Sequence, residues 1–283
     1  MTDGPSTEER GWFEGLTRGD LDGAREAIET GTAESPENWP TRAVAAGFAA
    51  DAADYYDALG EATRHAAREG VAERELSDDQ QLIHAIRAMD DAERTANELA
   101  ERVAEWAGSR FEEGEAGIEG ARVIAEREPH CPGDERVTDL AARVVDLDAE
   151  AARLRAFTER TAGSVAPNLA ALAGPALAAR LIALAGGLKT LARKPSGTLQ
   201  VLGAEEALFA HLRGQATSPK HGVIYTHEYV RGTRPGERGS AARALAGKLS
   251  IAARIDHYAG DRRPELEEEL DARIERIRTR GES

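Results

Sequence analysis

The chain has 283 residues, of which 41% are hydrophobic and only 5% aromatic, and its formal net charge is −15. A core so poor in aromatics must be built from alanine and leucine, which favours packed helices over strands, and 11 prolines and 28 glycines are too few for a disordered chain. A single cysteine, Cys131, excludes an intrachain disulfide or a cysteine metal cluster; with the polar start MTDGPSTEER it predicts a reducing, cytoplasmic location.

Residues 1–75 read as a small, poorly defined acidic domain. Gly11-Trp12-Phe13 reads as a strand remnant, Leu21 to Thr30 as a short helix, TAESPENWP as a linker-like loop, and Val44 to Arg68 as a further helix. Residues 76–160 carry the clearest periodicity. Leu82, Ala85, Met89, Ala92, Ala96, Leu99, Val103 and Trp106 follow alternating spacings of three and four, a heptad seam. A second seam runs through Leu140, Val144, Leu147, Ala151 and Leu154. EEGEAGIEG and EPHCPGDE lie between them, with breakers at Gly120, Pro129, Pro132 and Gly133. Two such helices predict an antiparallel coiled-coil hairpin whose exposed apolar sides promote self-association; two amphipathic helices in an ordinary bundle is the alternative.

Charge then reverses. Residues 1–160 hold 38 acidic and 18 basic residues, whereas 161–283 hold 13 and 18, a net of +5. All four lysines, Lys189, Lys194, Lys220 and Lys248, fall in the second part. An acidic first part joined to a basic second part points to an anionic partner for the latter. High acid with scarce lysine is also the composition expected of a protein adapted to a salt-rich cytoplasm; a solvated acidic helical face explains it equally. The apolar run Leu169 to Leu188 contains Pro175 and Arg180. A central arginine costs about 3 kcal/mol in a bilayer, so the run reads as a buried helical hairpin and not a membrane span. Helices are predicted at 168–193, 203–213 and 239–257, with loops at 194–202 and 214–238 and a charge-rich helix over 264–280.

No catalytic constellation emerges. GSAARALAGKLS misses the phosphate-loop spacing at Ala242 and Leu249. His221 and His227 lack the further ligands a zinc site needs, and Cys131 beside His130 sits in a Pro/Gly connector. The chain therefore reads as a binding protein. Arg231, Arg234 and Arg238 fall in a Gly/Pro loop where guanidinium groups can reach phosphates, and Arg243 and Arg254 are three helical turns apart. Some of these cations could instead pair with acidic segments, and Arg254, near Asp256, reads equally as structural or binding.

VAPNLAALAGPALAARLIALAGGLKTLARKPSGTLQVLGAEEALFAHLRG, SPKHGVIYTHEYV and RGSAARALAGKLSIAARID, in that order over 163–260, resemble the Nop-domain family, and in particular its archaeal box C/D small ribonucleoprotein scaffolds. DQQLIHAIRAMDDAERTANELAERVAEW is similar to the family's first coiled-coil helix. The resemblance implies a mainly α protein in three parts: an N-terminal domain (1–75) docking the methyltransferase fibrillarin, a coiled-coil hairpin (76–160) forming a homodimer, and an all-helical Nop domain (161–283). The last part would bind a box C/D guide RNA at a kink-turn together with its kink-turn-binding protein. The implied role is a non-catalytic scaffold for guided ribose 2′-O-methylation of rRNA or tRNA, with no cofactor of its own and no membrane; S-adenosylmethionine serves fibrillarin. A Nop-domain module of another ribonucleoprotein, acting without fibrillarin, is the alternative.

Family motif positions fall on Thr198, Gln200, Gly203, Ala204, Glu205, Lys220, His221, Arg238, Arg243 and Lys248, which the resemblance makes RNA-binding. The N–H groups near Gly203 and Ala204 are expected to face a phosphate, and Leu208 and Phe209 to be buried packing. The chain departs from the family at Glu206, where lysine is usual.

Overall fold

A computed structural model describes residues 11–31, 37–111 and 116–280, with fourteen α-helices and no strand among them. The mainly α class is as expected. The polar start, the first five residues of TAESPENWP and the acidic opening of EEGEAGIEG lie outside the described residues. The chain divides into two compact units, Met1–Ser77 and Asp78–Ser283.

The first unit holds α1 (Leu21–Thr30), α2 (Trp39–Ala45) and α3 (Ala52–Glu75). Each begins where a short polar side chain precedes it. Asp20, Asn38 and Asp51 accept hydrogen bonds from the N–H groups of Gly23, Thr41 and Asp54, meeting donors that the first helical turn leaves open. The core is aromatic: Phe13 and Tyr55 are buried among Trp12, Trp39 and Phe48, and the Trp12 indole donates to the Tyr55 hydroxyl at 3.2 Å. This packing corrects two expectations. Gly11-Trp12-Phe13 forms a turn closed by Glu14 N–H to Gly11 O, because both rings turn inward and strand alternation would expose one. The helix expected over Val44 to Arg68 is two helices, since Phe48 must leave the helical path to join the core.

The second unit begins with α4 (Asp78–Gly108), continues through α5 (Gly117–Ala125) and returns along α6 (Pro132–Val165). Cross-contacts fix the direction: Arg110 meets Asp134 at the tip and Glu93 meets Arg155 further back, so α4 and α6 are antiparallel. The seam on α4 drifts. Met89, Ala96 and Val103 are buried as expected, but Ala100 and Ala107 join them while Trp106 is 39% exposed. A straight helix of 3.6 residues per turn departs from a 3.5-residue repeat by about 20° per heptad. The described part of the connector contains a helix, α5, despite its breakers. In α5, Ala121 and Ile124 close a distal core with Val103, Val137 and Val144, and buried Gly120 lies inside the helix.

The main core joins the root of this hairpin to the helices that follow. They are α7 (Pro167–Ala173), α8 (Pro175–Ala185), α9 (Leu188–Arg193), α10 (Ser196–Gln200), α11 (Glu205–Leu212), α12 (Glu228–Arg231), α13 (Arg238–Tyr258) and α14 (Glu265–Arg280). Leu82, Ile83, Ile86 and Met89 of α4 pack with Leu169, Leu181, Ile182, Leu245 and Leu249. Polar contacts fasten the same junction: Asp79 accepts from Leu188 N–H at the start of α9, Arg87 donates to Ala183 O at the end of α8, and Arg180 pairs with Asp90.

The helix expected over 168–193 is three helices. Gly174 has φ +77°, a left-handed conformation that side-chain-bearing residues disfavour, and Pro175 then starts a new helix at N1. Among the described residues no single helix is long and apolar enough to cross a membrane; α7 and α8 would suffice together but bend by 117°. The loops expected at 194–202 and 214–238 contain α10, α12 and a 3-10 turn at Val223–Thr226.

Candidate RNA interface

Pro195 turns the chain out of α9, and its carbonyl accepts from Thr198 and Leu199 to start α10. Leu199 is fully buried and holds α10 against α13, which leaves Thr198 exposed and Gln200 half-buried at the surface. The segment 220–223 then lies along 200–202. Gly222 N–H donates to Gln200 O at 2.9 Å, Val223 N–H to Leu202 O at 2.8 Å, and the Gln200 side chain to Lys220 O at 2.7 Å. This approach requires glycine, because a Cβ at 222 would sit 2.0 Å from Leu202 O.

The result is a shallow depression of about 550 Å³ in which Gln200, Lys220, Gly239 and Arg243 come together. Beside it, His221 stacks on Tyr225 at 4.6 Å, and the Arg238 guanidinium lies 5.5 Å from the same ring. Arg238 also donates to Thr233 O at 3.0 Å and Arg231 O at 3.4 Å, folding the Gly/Pro loop back onto the start of α13. Burial first, then the charges of Arg238 and Lys220, push the His221 pKa below the ordinary imidazole value, partly offset by a backbone hydrogen bond. Among the described residues no carboxylate pairs with Lys220, Arg238 or Arg243. In a chain of net charge −15, three such cations around one depression form a site complementary to an anion.

The remaining expected residues are placed differently. Gly203 N–H is taken by the Glu205 carboxylate at 2.9 Å, and Ala204 N–H by Val201 O, so neither is open to a phosphate without rearrangement. Lys248 is paired with Glu269 of α14. Arg254 donates one N–H to Ala192 O at 3.2 Å, tying α13 to the end of α9, while the residue stays exposed. The expected burial of Leu208 and Phe209 is corrected: α11 buries no residue, Leu208 is only partly covered, and Phe209 is 57% exposed with Leu212 beside it. The packing stops at Leu202, and α11 projects beyond the core. Glu206 is exposed on this projecting helix.

Sequence reasoning missed Tyr225, the ring shared by His221 and Arg238; its only signal was an aromatic in GVIYTHEYV, between a histidine and basic residues. It also gave no role to His227. There Nδ1 accepts from Tyr229 N–H at the start of α12 and Nε2 contacts Leu172 O, both at 3.1 Å.

Residues 126–278, just over half of the chain, match the Nop family, described as snoRNA binding domain, fibrillarin. The chain belongs to the Nop family. A NOP5 family protein of Methanocaldococcus jannaschii is 36% identical over 71% of this chain and 57% of its own length. Nucleolar protein 58 of Schizosaccharomyces pombe is 32% identical over 63% of this chain and 42% of its own. The chain thus spans about half the length of the curated relatives it matches. Among solved structures, a chain of the crystal structure of a fibrillarin/Nop5p complex superposes with a TM-score of 0.53 at 24% identity, covering 95% of this chain and 98% of that one. That likeness establishes a shared fold. The Nop match covers all of the depression described above, together with α6 and most of α14. The cytoplasmic location expected from cysteine usage and the polar start is corrected by the fungal Nop relatives, which are nucleolar proteins.

Proposed function

We propose that this chain is the non-catalytic scaffold of a box C/D guide ribonucleoprotein that directs ribose 2′-O-methylation of rRNA or tRNA. In this reading residues 161–283 hold a kink-turn RNA with its kink-turn-binding protein, 76–160 pair two copies of the chain, and 1–75 dock fibrillarin. The observation that carries the reading is the convergence of Gln200, Lys220, His221, Arg238 and Arg243 on one rigid helical frame, with the three strong cations unpaired by carboxylates. Kink-turn recognition depends on shape and phosphate contacts more than on base edges, and such a frame suits it. Membership of a snoRNA-binding family supports the RNA partner, and the fold shared with a chain crystallised in a fibrillarin complex supports the second. Exposed Trp106, Val123 and Phe157 on the hairpin support self-association.

Reconstitution tests the reading: guide RNA, kink-turn-binding protein, fibrillarin and a labelled methyl donor, with and without this chain. Methylation should require it. Unchanged methylation in its absence rejects the scaffold role. RNA binding without any effect on fibrillarin favours a module of another ribonucleoprotein. Arg238→Ala with Arg243→Ala should weaken assembly on the RNA about tenfold or more, as expected for losing phosphate contacts; unchanged gel shifts reject the site.

A further inference from the structure

Arg243 lines two depressions. The first is the Gln200–Lys220 site; the second, of about 510 Å³, runs between α13 and α14 and is edged by Arg243, Lys248, Arg273 and Arg280, with Glu237 the one carboxylate in its lining. Its α13 wall is low because Ala244 and Gly247 stand there, and a Cβ at 247 would meet nothing within 4 Å.

The arginines of α14 have different fates. Arg276 bonds Ala272 O, and Arg278 bonds Glu228 O and the Thr233 hydroxyl. Arg273 and Arg280 have no hydrogen-bond or carboxylate partner among the described residues. They are two helical turns apart and so share one side of α14, with buried Ile277 between them holding that side against the core. Their isolation is notable on a helix so rich in acid. Glu269, one turn before Arg273, is engaged by Lys248, and Asp271 by the Tyr229 hydroxyl. Unpaired guanidinium groups spaced along an open groove match a repeating negative charge better than a single anion.

We propose that the α13–α14 groove is a second phosphate-binding surface, which holds the sugar-phosphate backbone of the same RNA beyond the Gln200–Lys220–Arg243 depression. Arg243 contacts the RNA at the junction, and Arg273 and Arg280 contact successive phosphates further along. Continuity through Arg243 favours RNA over an acidic protein segment. The inference rests on the RNA-binding reading above.

The full chain, with the kink-turn-binding protein, is titrated with kink-turn RNAs whose flanking helix is long or cut back, across a KCl series. Arg273→Ala with Arg280→Ala should weaken binding of the long RNA about tenfold and flatten its salt dependence by roughly 1.4 to 1.8 in log–log slope, the loss of two phosphate contacts. The short RNA should bind as before, and Arg273→Lys with Arg280→Lys should keep most of the salt slope. Unchanged affinity and slope for the alanine variant, while Arg243→Ala weakens binding, overturns the groove and leaves the first site standing. Loss of a protein partner with RNA binding intact also overturns it. If the unaltered chain binds neither RNA, the RNA-binding reading fails and the groove fails with it.

Discussion

The carboxylate of Asp256, near the end of α13, accepts hydrogen bonds from both the backbone N–H and the side-chain amide of Asn168, at 3.0 and 2.6 Å. Its second oxygen takes Leu169 N–H at 2.8 Å, so it caps the start of α7 from across the core. Asn168, fully buried, also donates to Asp261 O and accepts from Arg263 N–H. One buried pair thus joins α7, α13 and the turn into α14 with every polar group satisfied. Asp256→Ala would strand two backbone donors and an amide; the expected loss is about 3–5 kcal/mol. Thermal unfolding followed by circular dichroism reads it, and a variant melting within a degree or two of the parent would show that water replaces the carboxylate.

At Gly222 the constraint is steric. An added methyl would meet Leu202 O, C and the Val201 carbonyl carbon, all backbone, so no side chain can yield. Gly222→Ala should cost about 2–3 kcal/mol by overpacking, or roughly 4–10 °C in melting temperature for a chain of this size. It should also shift the His221 ring resonances, because 220–223 must lift from 200–202. An unchanged His221 spectrum would separate the site from this contact.

His227 supplies a pH dependence. Burial chiefly lowers its pKa below the ordinary 6.5, against the raising effect of its contact with Leu172 O. The unfolded chain therefore takes up this proton at higher pH than the folded chain does. The stabilising contribution is complete above about pH 6.5 and is lost as pH falls through the lower folded value. Protonation at Nδ1 removes the acceptor for Tyr229 N–H. Denaturant unfolding from pH 8 to 5 should show stability falling, and His227→Asn, which keeps an acceptor without titrating, should flatten the curve. Equal slopes would place the effect elsewhere. His221 is shifted in the same direction, so its own titration must be followed by NMR; bound phosphate should raise it.

Salt tests the acidic composition. With 38 acidic residues against 18 basic ones in 1–160, like-charge repulsion opposes compaction most strongly in dilute buffer. Screening shortens from about 10 Å at 0.1 M to about 3 Å at 1 M. The melting temperature is expected to rise in molar KCl; if dilute buffer leaves it unchanged, the acid excess is a solvated face and no adaptation to salt.

Much of the helical plan is written in nearest-neighbour chemistry. The seams of α4 and α6, the helix over Leu21–Thr30 and the tail helix with Leu266, Leu270, Ile274 and Ile277 follow from periodicity. Breaks were harder to read. Ala173-Gly174-Pro175 interrupts a continuous apolar run, and hydrophobicity alone does not mark a left-handed glycine. In the site, Gln200, Lys220 and Arg243 could be picked out in advance, but Tyr225 could not, because its importance comes from what stacks on it.

Residue type and spacing were therefore enough to establish a helical protein with a basic second part. They could not establish which cations remain available to a partner. Lys248 and Arg243 are five residues apart on α13, yet Glu269 neutralises the first and nothing described neutralises the second. Arg254 ties one donor to a carbonyl of α9, and Phe209, hydrophobic enough for the core, lies outside it. Such outcomes depend on contacts between residues distant in the chain. Local propensity carries no information about those contacts, whereas close packing of the helices determines them.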